Sequence, residues 1–153
     1  MFFFFSVLIY CIFICILYTI ISHYINMNQW YKTLKRAPWS PPSYVFGIVW
    51  PVLYVLMGIS FYITWNDKKC FPYCNALTFF LIQLSFNLVW TTIFFKYKMP
   101  KLALLDLIAT LVFTIITYIK FVHINRLASS LLLPYIVWMC LAFSLNLYIV
   151  IMN

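Results

Sequence analysis

The chemistry available to this chain lies in its indoles and amides rather than in its acids. Its 153 residues include 6 Trp, 12 Tyr and 16 Phe but only two carboxylate side chains, Asp67 and Asp106. No nucleophile, base and acid fall together in a way that would support ordinary hydrolysis. Of the five cysteines, Cys11, Cys15 and Cys140 lie in oily blocks and read as small packing residues. Cys70 and Cys74, in "CFPYC", lack the second ligand pair that zinc would need, and either form a small-loop disulfide or stay as thiols. What recurs at helical spacing is aromatic surface mixed with amides and small residues. Gln83, Asn87, Trp90 and Phe94 form one stripe, and Tyr135, Trp138, Ala142, Leu145 and Asn146 another. Gly47, Trp50, Pro51, Tyr54, Gly58 and Phe61 form a third, while Asp106, Thr110, Thr114 and Thr117 give a polar one. Such faces suit either a flat apolar ligand or the packing of one helix on another.

The elements that must carry these stripes follow from composition. With 67% hydrophobic and 8% charged residues, the chain is far more apolar than a soluble domain. Its apolar residues fall into five blocks of about the 20 residues that an α-helix needs to cross a bilayer. The expected fold is therefore all-α, an integral membrane bundle of five transmembrane helices forming a single domain. The expected spans are about 2–23, 43–65, 75–95, 101–121 and 127–152. The first block has no positive leading segment and no small-residue cleavage pattern, so it reads as a retained span rather than a signal sequence. Short connectors leave no room for a soluble domain. The formal net charge of +8 flanks the spans and faces lipid headgroups; no nucleic-acid module is present.

Lys and Arg are commoner in the first and third connectors (Lys32, Lys35, Arg36; Lys96, Lys98, Lys101) than in the second and fourth (Lys68, Lys69; Lys120, Arg126). That bias places connectors one and three, and the C-terminus, in the cytosol. Asp106 lies near Lys98 and Lys101, which predicts a capping or ion-pair role at the membrane edge. His23 and His123, the latter assigned to the fourth connector, lie on opposite sides of a hydrocarbon core of about 30 Å, so they cannot share one metal or haem iron. No metal site is expected.

The first connector carries "RAPWSPPSYVFGIVW", residues 36–50. Pro38, Pro41 and Pro42 fix φ and remove backbone donors, so this segment cannot continue a helix and is stiff where it crosses the membrane surface. Pro51 removes the hydrogen bond that the Gly47 carbonyl would accept, which permits a kink beside Trp50. Trp30, Trp39 and Trp65 sit at span ends, as interfacial indoles do, whereas Trp90 and Trp138 fall well inside theirs.

Three stretches in this order, "WYKTLKRAPWSPPSYVFGIVWPVLYVLMGISFYITW", "QLSFNLVWTTIFF" and "LLLPYIVWMCLAFSLN", resemble the signatures of the translocator protein family, also known as tryptophan-rich sensory proteins or peripheral benzodiazepine receptors. The likeness is collinear over residues 30–151. It implies a five-helix bundle around a hydrophobic pocket beneath the first connector. It also implies binding of porphyrin or haem as ligand with no required cofactor, binding of sterols in some members, and light-dependent breakdown of protoporphyrin in several. Carried over by position, Trp39, Trp50, Tyr54, Asn87, Trp90, Trp138, Ala142 and Leu145 would line the ligand site. Trp50 and Trp138 would act as reductant or adduct partner if photodegradation occurs, and ligand propionates would reach Lys32, Lys35 or Arg36. The resemblance further implies a homodimer and, in a eukaryote, the mitochondrial outer membrane. Two features depart from the pattern. No basic residue follows Tyr148, which weakens a sterol-transport role, and Leu102 stands where animal members have tryptophan. A sterol or lipid carrier and a structural membrane subunit are the alternative functions.

Overall fold

The structure, a computed structural model, describes residues 28–153. Every regular element among them is helical: α1 (Asn28–Thr33), α2 (Ser43–Asn66), α3 (Asn75–Thr91) continued by a π turn (Thr92–Lys96), α4 (Pro100–Ile124), α5 (Arg126–Ser130) and α6 (Leu133–Met152). Four stretches are long and apolar enough to cross a membrane: Ser43–Asn66, Asn75–Lys96, Pro100–Ile124 and Arg126–Met152. They correspond to the second to fifth expected spans. The first expected span, 2–23, lies outside the described residues.

Proline and local caps set the boundaries. Pro42 directly precedes α2, and Pro100 opens α4 in its first turn, where a missing N–H costs nothing. The fourth span runs further than expected, so Lys120 and His123 belong to α4 rather than to a connector. At its end Asn125 turns extended, and its side chain caps α5 by accepting from Leu127 N–H at 3.0 Å and Ala128 N–H at 3.2 Å. The expected single helix over 127–152 is broken. Pro134 has no N–H to offer the Ser130 carbonyl, and the chain turns at Leu131 and Leu132 before α6 begins. The π turn ending α3 has its own i to i−5 bond, Tyr97 N–H to Thr92 O at 3.1 Å. Lys98 follows at φ 54°, in the left-handed region, and reverses the chain into α4.

α3 packs along α4, α4 packs along α6, and α2 rests mainly on α5 with lesser contacts to α3 and α6. The core contains Leu53, Met57, Leu77, Phe80, Leu107, Phe121 and Met139. A smaller cluster of Phe94, Ala103 and Ile149 packs under Trp30 and Tyr31 of α1. The polar stripe Asp106, Thr110, Thr114 and Thr117 is buried as a whole. On α2, the buried face is Leu53, Met57, Ser60 and Thr64 instead of the expected aromatic one. Gly47 and Pro51 are exposed, and Trp50, Tyr54, Gly58 and Phe61 are half-buried beside it. Small and aliphatic side chains allow the closer approach. Ser60 confirms it by donating to the Ala128 carbonyl of α5 at 2.6 Å.

The α2–α3 connector is tied down at several points. Cys70 and Cys74 are joined by a disulfide across 4.8 Å of Cα separation. The Trp65 indole donates to Pro72 O at 2.6 Å, and Lys69 Nζ caps the end of α4 by donating to His123 O at 3.2 Å. Asp67 accepts from Lys69 N–H at 3.0 Å and from Asn125 at 3.4 Å. The Lys69 backbone N–H foremost, against an opposing desolvation that is next in size, and with Asn125 and the Lys69 charge adding smaller shares, holds the Asp67 carboxyl below the usual carboxylate range. A lowered folded-state pKa means that this contribution is complete above the unfolded value and fades as pH falls through the folded one. The protection of residues 67–74 against hydrogen exchange, taken relative to the intrinsic rate at each pH, is therefore expected to fall below about pH 4. Asp67→Asn should show the same protection across that window, and an identical acid response in the variant would refute the assignment.

Candidate functional site

Where α2, α3, α4 and α6 meet, side chains from all four join in one buried polar chain. Gln83 and Asn87 stand one turn apart on α3 and are almost wholly buried. Tyr54 of α2 donates its hydroxyl proton to Asn87 Oδ1 at 2.8 Å, and Asn87 Nδ2 donates to the Tyr135 hydroxyl of α6 at 3.0 Å. Tyr135, with 0% exposure, donates onward to Gln83 Oε1 at 3.1 Å. Thr114 Oγ of α4 lies 3.3 Å from the same Gln83 oxygen and 2.7 Å from the Thr110 carbonyl, so its one proton serves both. Polar groups at this depth need internal partners, and each interhelical bond gives about 0.6 kcal/mol.

The chain is not fully satisfied. Among the described residues, Gln83 Nε2 and Trp138 Nε1 are buried donors with no acceptor. Nearly all buried donors in folded proteins are paired, so two unpaired amide or indole protons in one bundle mark a place where an acceptor would be favourable.

Aromatic rings flank this chain. Trp50 stacks on Tyr54 at a centroid distance of 5.5 Å and 28° between planes. Trp138 meets Phe46 edge-on at 5.4 Å, and Trp90 stacks on Phe94 at 5.0 Å. Trp138 and Ala142 pack on the main core, and Leu145 is buried. The structure thus links Trp50, Tyr54 and Asn87 by direct contact. It places Trp138, Ala142 and Leu145 on α6, and it sets Trp90 against both the main core and the α1-side cluster. Sequence reasoning put Gln83 and Tyr135 on the right faces but not among the ligand-lining residues. Gln83 lies one turn before Asn87 and Tyr135 one turn before Trp138, each in an oily block, and that was the available signal.

The first connector lies over the end of α6. The Trp39 indole, 54% exposed, donates to Ser144 Oγ at 3.2 Å and meets the Tyr148 ring edge-on at 5.4 Å. Asn153 clasps the Lys35 backbone, accepting from its N–H at 2.9 Å and donating to its carbonyl at 3.2 Å. Asn146, with its amide oriented to satisfy both atoms, bridges Pro100 O and Leu104 N–H of α4 at 3.2 Å each.

Two expectations fail nearby. Asp106 forms no ion pair with Lys98 or Lys101; it is buried on the inner face of α4 with Oδ2 unpartnered, while both lysines point outward. Cys140 is exposed on α6, pointing away from the bundle instead of packing within it. Among the described residues no group of His, Cys, Asp and Glu is placed to hold a metal.

The sequence profile of the TspO/MBR family matches residues 7–152. A tryptophan-rich protein TspO of Archaeoglobus fulgidus is 35% identical over 128 residues, covering 84% of this chain and 82% of that protein. A tryptophan-rich sensory protein of Cereibacter sphaeroides is 32% identical over 119 residues, covering 78% and 73%. The translocator protein of Homo sapiens is 32% identical over 120 residues, covering 77% and 71%.

Proposed function

We propose that this chain, which belongs to the TspO/MBR family and is an integral membrane protein, binds tetrapyrroles within its bundle and promotes their light-dependent degradation. The N-terminal block 2–23 supplies the fifth span of a single-domain bundle. The end bearing the first connector and Asn153 faces the cytosol, in the mitochondrial outer membrane where the source is a eukaryote.

The observation that carries the reading is the aromatic face of Trp50 and Tyr54 set directly on the Asn87–Tyr135–Gln83 chain. A flat apolar macrocycle stacks on the rings, and its acceptor atoms meet the unpartnered indole and amide protons of Trp138 and Gln83. The tryptophans then serve as reductant or adduct partner when light excites the bound ring in the presence of oxygen. A sterol offers one hydroxyl and no π surface, so it uses little of this arrangement.

Titration of the detergent-solubilised chain with protoporphyrin in the dark, followed by tryptophan quenching, tests the reading. Saturable binding that cholesterol does not displace is expected. Displacement by cholesterol at equal concentration would favour the sterol carrier, and binding of neither ligand a structural subunit.

A further inference from the structure

Between the end of α1 and the start of α2 lies an open-sided cavity of about 540 Å³ under the first connector, lined by Lys32, Arg36, Ser40, Pro41, Pro42 and Ser43 among others. Among the described residues, no acidic side chain lines it. The whole chain holds two acidic residues. Asp67 follows the far end of α2, about 36 Å away at 1.5 Å per residue, and Asp106 is buried on α4 without an ion pair. Neither acidic side chain is therefore ion-paired with Lys32 or Arg36. The guanidinium of Arg36 lies over the Tyr31 ring, 5.6 Å from its centroid. The first turn of the 24-residue α2 adds to the positive field, with no acidic residue and no side-chain cap. Pro41 and Pro42 lack N–H groups and contribute apolar walls. Two cations and two hydroxyls beside Pro41 and Pro42 at the membrane surface match a phosphate esterified to something greasy.

We infer that this cavity binds the phosphodiester headgroup of an anionic phospholipid, with Lys32 and Arg36 as its counter-charges and the Ser40 and Ser43 hydroxyls as donors. The acyl chains leave along the exposed apolar side of α2, where Tyr44, Ile48, Val52 and Val55 face outward. This site is separate from the aromatic face around Tyr54 and Asn87 and stands whether or not that face binds a tetrapyrrole.

Native mass spectrometry of the full chain in detergent, titrated with phosphatidylglycerol and with phosphatidylcholine, tests the inference. One phosphatidylglycerol per chain should be retained in preference to phosphatidylcholine. Lys32→Gln or Arg36→Gln should each weaken that affinity by about fivefold, the worth of one cation beside an anionic headgroup. Lys32→Arg should preserve it, and so should Lys68→Gln at the opposite end. Each variant is checked for wild-type helicity, and Lys32 is exposed, so neutralising it leaves the core intact. Equal retention of the two lipids, or an equal loss in Lys68→Gln, would overturn the inference. Displacement of the lipid by inorganic phosphate at equal concentration would make this a free-anion site. If protoporphyrin displaces the lipid and the Lys32 and Arg36 variants lose both ligands together, the cavity is the carboxylate end of the tetrapyrrole site instead.

Discussion

Tyr135→Ala is expected to cost about 3–5 kcal/mol, the range for truncating a fully buried aromatic residue, whereas Tyr135→Phe should cost only about 0.6–1.7 kcal/mol, the worth of a membrane hydrogen bond. Tyr135 has 0% exposure and touches both ends of the polar chain, receiving from Asn87 and donating to Gln83. Removing the ring opens a cavity between α6 and α3 and leaves both amides without their shared partner. Removing only the oxygen keeps the ring's packing, and Asn87 still accepts from Tyr54. Reversible unfolding in mixed detergent micelles, followed by helicity, measures both costs. Similar small losses in the two variants would mean that the site around Tyr135 collapses freely and that the phenol is not the hub described above.

A second large effect separates binding from photochemistry. Trp50→Phe combined with Trp138→Phe keeps two aromatic faces but removes the two indoles, the more readily oxidised rings. Light-dependent loss of protoporphyrin absorbance should be abolished, while dark affinity changes little. Trp50→Ala combined with Trp138→Ala should also reduce affinity, by about 2–4 kcal/mol or roughly 30- to 1,000-fold, because two large apolar contacts are lost. The two indoles are placed differently, Trp50 stacked on Tyr54 and Trp138 edge-on to Phe46, so the single variants should contribute unequally. Undiminished light-dependent loss in the Phe pair would show that any turnover is the work of porphyrin and oxygen alone.

Much of this architecture was legible in the residues, for physical reasons. Block length and apolar content fix where helices cross a membrane, and α2 begins at Ser43 because Pro41 and Pro42 cannot extend a helix past it. Amides in an oily block must find partners, so the Gln83 and Asn87 stripe faces inward as expected. The inner face of α2 was harder to read. Most positions of α2 are apolar or aromatic, so Ser60 and Thr64 give only a short polar signal, and the face of Leu53, Met57, Ser60 and Thr64 won the interface on size. The break at Leu131 and Leu132 was hidden because Pro134 is compatible with a helix start and with a kinked continuation alike. Asp106 misled because proximity in sequence to Lys98 and Lys101 says nothing of direction around the helix; its buried side is set by the Thr110, Thr114 and Thr117 stripe.

The central claim is that a tetrapyrrole sits on the face shared by Trp50, Tyr54 and the Asn87–Tyr135–Gln83 chain. Brief illumination of the protoporphyrin-loaded protein, followed by mass-spectrometric mapping of oxidised and adducted tryptophans, tests it most directly. Modification should appear first at Trp50 and Trp138 and be suppressed by a non-photoactive metalloporphyrin competitor. Modification spread evenly over Trp30, Trp39, Trp65 and Trp90 as well, or confined to those four, would contradict it.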